Sequence, residues 1–216
     1  MTLNWTWEQN TPYDIENDYW VKAWFGHPND KIDVAVFVLG PTTNHIQESL
    51  NEPIFGRGIS STFIPNDEAI TKLDAIEDIL FVGYPNGIWD KVNLLPIFRK
   101  GITATPLQID YEGEPKFLVD ASVFGGSSGS PVFVHSKKVD GISEFLLVGI
   151  IAAVYQVRSK SEIVQTPVPT DVNHSIEVIN TQMIDLGIVF KSRTIIETIE
   201  AFLLETNQVA LIRKWV

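Results

Sequence analysis

The sequence predicts an all-β fold with a single helix near its C-terminus. Short apolar runs, rich in β-branched and aromatic residues, recur along the chain, each bounded by Gly, Pro, Asn or Asp. Twelve Pro and fourteen Gly are spread through 216 residues, which supplies the turns of a barrel or sandwich. Helical spacing of apolar residues shows clearly in one late stretch, residues 192–206.

The first strand is expected within residues 32–39, IDVAVFVL. Others follow at 79–82 (ILFV), 116–119 (KFLV), 132–134 (VFV) and 145–154 (FLLVGIIAAV). Several runs are apolar throughout, as strands buried on both faces are, and their shortness and flanking Gly and Pro argue against buried helices. Residues 68–78 read as a helical turn or loop. Residues 40–65, rich in Asn, Ser, Thr, Gly and Pro, read as a linker between two subdomains. In SRTIIETIEAFLLET the apolar residues Ile195, Ile196, Ile199, Phe202 and Leu203 fall on one helical face, with Ser192 as the expected N-cap. The expected organisation is therefore an N-terminal part with its linker over 1–65, a C-terminal part over 66–206 and a tail over 207–216.

Charge excludes one class of partner. The formal net charge is −11, so nothing pulls the chain electrostatically toward phosphate backbones or anionic lipid, and nucleic acid is not an expected ligand. No cysteine is present, hence no disulfide, thiolate metal site or thiol nucleophile. The first twenty residues are polar and acidic, unlike a secretory leader. The best apolar run, 145–154, falls well short of the ~20 residues of a membrane span. A cytoplasmic, membrane-free protein is the expectation. Neither a His and carboxylate metal spacing nor a Gly-rich phosphate loop with Lys is present, so no metal or cofactor is implied.

The segment 124–133, FGGSSGSPVF, carries the chemistry. Glycines let backbone N–H groups turn toward one point, small neighbours leave room for a substrate carbonyl, and Pro131 blocks a helix directly after the turn. A surface turn between two strands has the same composition. Two serine-hydrolase readings compete with it. Centred on Ser127, Gly125 to Gly129 satisfies G-x-S-x-G, the nucleophile elbow, with Asp140 or Asp171 and His174 in the required order. That elbow must lead from a strand into a helix, whereas residues 131–134 read as a strand.

Centred on Ser128, Gly126-x-Ser128-Gly129-x-Pro131 resembles the nucleophile motif of chymotrypsin-like serine proteases. Residues 120–131, DASVFGGSSGSP, are similar to the nucleophile loop of the bacterial high-temperature-requirement proteases without a gap. Residues 147–153 (LVGIIAA) resemble their substrate-pairing strand, and 186–190 (LGIVF) with the following helix their closing elements. Residues 81–85 (FVGYP) and 101–104 (GITA) resemble the opening strands of their second barrel. His27-Pro28 followed by Asp33-Val34-Ala35-Val36 resembles the segment bearing the triad aspartate. The blocks keep their order from residue 24 to about residue 200. The departures are Ser127 for the usual Asp or Asn and Ser130 for the second Gly.

The resemblance implies a two-barrel chymotrypsin-like serine protease fold with an incomplete N-terminal barrel and a C-terminal helix. It implies a trypsin-like serine endopeptidase acting on polypeptide, with Ser128 as nucleophile and Asp33 as the orienting carboxylate. The amides of Gly126 and Ser128 would form the oxyanion hole. Ser122 would sit at the base of the specificity pocket, uncharged, which favours small or medium apolar side chains over Lys or Arg. Gly149, Ile150, Ile151, Ala152 and Gly187 would line the substrate strand and pocket walls. Asp33 precedes Ser128 by 95 residues, close to the about 93 of the chymotrypsin order. The same order places the histidine about 45 residues before the aspartate, ahead of Met1. None of His27, His45, His135 and His174 fits, so the base is expected upstream of this chain. A pseudoprotease that keeps the peptide groove without hydrolysis is the alternative.

Overall fold

A computed structural model describes residues 24–51, 58–93, 95–124, 126–137, 143–163 and 176–208. Trp24–Gly26 (β1) and Ala35–Phe37 (β2) pair antiparallel as a two-stranded sheet. Helices follow at Leu39–Leu50 (α1) and Asp67–Thr71 (α2). Six strands then form a closed barrel: Asp78–Gly83 (β3), Ile97–Thr103 (β4), Lys116–Asp120 (β5), Pro131–Lys137 (β6), Ser143–Ile163 (β7) and Ile176–Lys191 (β8). Their order around the barrel is β3-β4-β5-β8-β7-β6, every pair antiparallel, with β3 against β6 closing it. Helix α3, Ser192–Glu205, is the last described element.

Period-two alternation builds the barrel interior. Ile79 and Phe81 of β3, Phe117 and Val119 of β5, Val132 and Val134 of β6, and Val148 of β7 turn inward and are buried in one cluster with Val189 of β8. Helix α3 packs across β7 and β8 and reaches the N-terminal sheet, where Phe202 meets Phe25 edge to face at 5.6 Å.

The molecule is thus mostly β with one closed six-stranded barrel and a C-terminal helix. Where an incomplete N-terminal barrel was expected, the described residues up to 65 hold the β1–β2 sheet, α1 and a 3-10 turn at Ser61–Phe63. The eight-residue run at 32–39 forms strand only over Ala35–Phe37, because Ile32 and Val34 bury themselves individually and α1 takes over at Leu39. The stretch read as linker therefore carries all but the first residue of a twelve-residue helix. Gly40 and Pro41 argue against a helix by composition, yet both fall in its first turn, where the missing Pro N–H would be unpaired in any case. His45, read as a linker residue, lies on this helix. Helix α3 begins at Ser192 as expected, but Lys191 rather than Ser192 occupies the N-cap. Strand β7 runs on beyond the apolar 145–154 stretch to Ile163, pairing with β8 from Ile176. No described helix is long and apolar enough to cross a membrane.

Candidate functional site

Strand β6 starts at Pro131, which has no N–H to give a ladder, so the preceding turn makes its own bonds. Gly129 N donates to Ile151 O at 2.7 Å, Ile151 N to Ser130 O at 3.0 Å, and Ser130 N to Ser127 O at 3.0 Å. Gly126 and Gly129 have φ of +81° and +80°, left-handed backbone that other residues enter at a cost. Ser128 stands between them, exposed, and its Oγ donates to Ala152 O at 3.2 Å. Among the described residues no acceptor takes the amides of Gly126 or Ser128.

Ser127 has the opposite surroundings. It is 1% exposed, and its Oγ accepts from the Arg99 guanidinium at 2.6 Å. A second guanidinium nitrogen donates to Ser122 O at 2.5 Å. The guanidinium lies over the Phe81 ring at 4.5 Å and faces Phe124 at 6.0 Å. Burial pushes the Arg99 pKa below its usual value by penalising the charged form.

Asp33 lies in a tight turn in which Val34 N donates to Ile32 O at 2.9 Å, leaving the aspartate exposed while its neighbours turn inward. Ile32 and Val34 form a cluster with Phe190 of β8, against which Ile150 and Ala152 of β7 pack. Ala152 is thus the meeting point. Its carbonyl receives the Ser128 hydroxyl, and it packs against the cluster that flanks Asp33.

The expected substrate strand is open over a shorter length than the sequence suggests. Gly149 pairs with both Val132 and Lys191, and Ile150 with both Pro131 and Phe190. Ile151 is spent on Val189 and on the Ser130 and Gly129 backbone, with its side chain in the core. An added strand has no free edge until Ala152, where the β7–β8 register shifts and β6 has not begun. Gly187 is buried against Val119 and Val123, whose methyls would lie 2.9 and 2.8 Å from an added Cβ. Ser122 is exposed, with its carbonyl turned to Arg99.

No family model, curated protein or solved structure matches this chain.

Among the described histidines none touches Ser128. His27 is held by Asn29 N, which donates to its Nδ1 at 3.0 Å, and by Glu197 Oε2, 3.1 Å from its Nε2. His135 stacks on Phe145 with ring centroids 4.9 Å apart. His174, with Asp140 and Asp171 of the elbow reading, lies outside the described residues. The turn at Ser127 leads into strand β6, not into a helix, and Ser127 itself is buried, so the elbow geometry is not present there. No described group of three His, Asp or Glu side chains could hold a metal ion.

Sequence reasoning passed over Arg99. The available signal was alternation in IFRKGIT: Arg99 shares a face with Ile97, Gly101 and Thr103, and Phe98 and Ile102 share the other. Strand β4 inverts the usual rule, exposing Phe98 and turning the arginine toward the loop.

Proposed function

We propose that this chain carries the nucleophile side of a chymotrypsin-type serine endopeptidase site. The Ser128 turn supports the reading. It offers an exposed hydroxyl between two left-handed glycines, beside two amides with no described acceptor. In this proposal Ser128 Oγ attacks the scissile carbonyl and gives its proton to an imidazole. The amides of Ser128 and Gly126 hold the oxyanion; losing one such donor costs about 10²–10³ in rate. The imidazole then protonates the leaving amine, and water attacks the acyl-enzyme to free the second product and restore the serine. Asp33 orients that imidazole, which comes from a histidine outside the described residues. The peptide extends along β7 from Ala152, contributing main-chain hydrogen bonds, and uncharged Ser122 suits small or medium apolar side chains.

A second reading, a peptide-binding module of the same fold, is favoured by the partner of Ser128, which is a backbone carbonyl rather than a base. The experiment that tests the first reading is labelling with a serine-directed phosphonate, read by peptide mass, of a chain that contains the proposed histidine, since the hydroxyl is a poor nucleophile without its base. Modification at Ser128 and none in Ser128→Ala is the expected result. Modification at Ser127, or none at all while apolar peptides still bind, overturns it, the latter in favour of the binding module.

A further inference from the structure

The guanidinium of Arg99 joins two parts of one loop. It donates to the Ser122 carbonyl and to the Ser127 hydroxyl, five residues apart in sequence, from a strand on the barrel wall. Phe81 and Phe124 cover it, its Nε is buried without a partner, and among the described residues no carboxylate pairs with it. Even a half-buried cation is costly unless its hydrogen bonds are good, and here one goes to the Ser122 carbonyl and the other to the residue directly before the candidate nucleophile. Hydrogen bonds to a charged partner are short and about twice as strong as neutral ones.

We propose that Arg99 is a positioning residue that clamps the 122–130 loop so that the Ser128 hydroxyl and the Gly126 and Ser128 amides face one point. The catalytic meaning of the clamp rests on the serine-hydrolase reading, but the clamp itself does not. Ser127 holds the chain through its side chain toward Arg99, its N–H to Phe124 O and its carbonyl from Ser130 N. Releasing the side chain frees the peptide unit on which the Ser128 amide is mounted. It also explains a serine where the resembled motif has Asp or Asn: a hydroxyl suffices as acceptor when the donor is a guanidinium.

Amide hydrogen exchange separates a local clamp from general support. In Ser127→Ala, which keeps the arginine, exchange of the hydrogen-bonded amides of Ser127, Gly129 and Ser130 is expected to quicken about tenfold or more, the scale of a lost bond to a charged group. Exchange in β5 and β8 should stay as it was. Arg99→Met should do the same, Arg99→Lys should recover part of the protection, and the double variant should be no faster than Arg99→Met. The rate of phosphonate labelling at Ser128 should fall in the same order. Exchange that is unchanged in Ser127→Ala, or that rises evenly through the barrel in both variants, overturns the proposal. Resistance to labelling in a wild-type chain that contains the proposed histidine, together with the local exchange pattern in the variants, refutes the hydrolase reading and leaves the clamp standing.

Discussion

At Gly126 a single missing methyl group decides the shape of the loop. An added Cβ would lie 2.6 Å from Tyr84 O and 3.2 Å from Asn86 N, so the loop rests directly on the backbone that follows β3. Gly129 has almost the same φ, yet its Cβ would meet nothing within 4 Å. The pair therefore separates backbone strain from steric contact. Gly129→Ala is expected to cost about 1–2 kcal/mol, the left-handed penalty alone. Gly126→Ala should cost more, because the Tyr84 carbonyl must also move. Urea denaturation of the two variants measures the difference, and equal losses would mean that the loop shifts freely away from the 84–87 backbone. The flanking glycines and serines were legible in the sequence as a possible nucleophile turn. The resemblance already pointed to Ser128 rather than Ser127; what the sequence did not show is that a guanidinium 28 residues earlier takes the Ser127 hydroxyl.

Helix α3 connects the barrel to the N-terminal sheet through a few well-placed groups. At its start, Asp110 accepts from Lys191 Nζ at 2.6 Å and pairs with Arg193, and Lys191 also donates to Ile109 O. Desolvation pushes the Asp110 carboxyl up, but the hydrogen bonds and charges of Lys191 and Arg193 outweigh it and hold the group below its ordinary range. A carboxyl depressed in the folded state adds stability above its unfolded pKa and loses it as pH falls through the folded value. Asp110→Asn should therefore lower the melting temperature at neutral pH and narrow its gap to wild type as pH falls below about 4. Melting curves from pH 7 to pH 3 test this; a gap that stays constant over that range would show that the carboxylate charge contributes nothing. Farther along, Phe202 against Phe25 and Glu197 against His27 fasten the sheet. The helix itself was legible from its 3.6-residue apolar spacing, but its partners, 80 to 180 residues away, were not.

Over the whole molecule, stability follows from barrel closure. Phe117 on β5 is fully buried in the cluster that β3, β5, β6, β7 and β8 share. Phe117→Ala is expected to destabilise by about 3–5 kcal/mol, transfer loss plus cavity, and to unfold β3 through β8 in one transition because no barrel strand is independent of its neighbours. A shift in the urea midpoint with an unchanged slope would agree; a second transition would show that part of the sheet stands alone.

Local patterning places four of the six barrel strands and the helix: 79–82, 116–119, 132–134, the start of β7 and the Ser192–Glu205 helix all lie where it puts them, whereas β4 and β8 were not read from it. Local patterning suffices there because burial repeats every two or every 3.6 residues. Tertiary structure alone decided the rest. Helix α1 arose within a Gly-, Pro- and Asn-rich stretch, and the 32–34 segment left the strand geometry its β-branched residues favour in order to bury Ile32 and Val34 beside Phe190. Strand β7 continued into polar residues because β8 runs alongside to supply hydrogen bonds that hydropathy does not record. The polar contacts of the candidate site, Arg99 on Ser122 and Ser127 and Ser128 on Ala152, join strands distant in sequence. Such directional bonds depend on where closure of the barrel brings each backbone, and no periodicity in the chain encodes that.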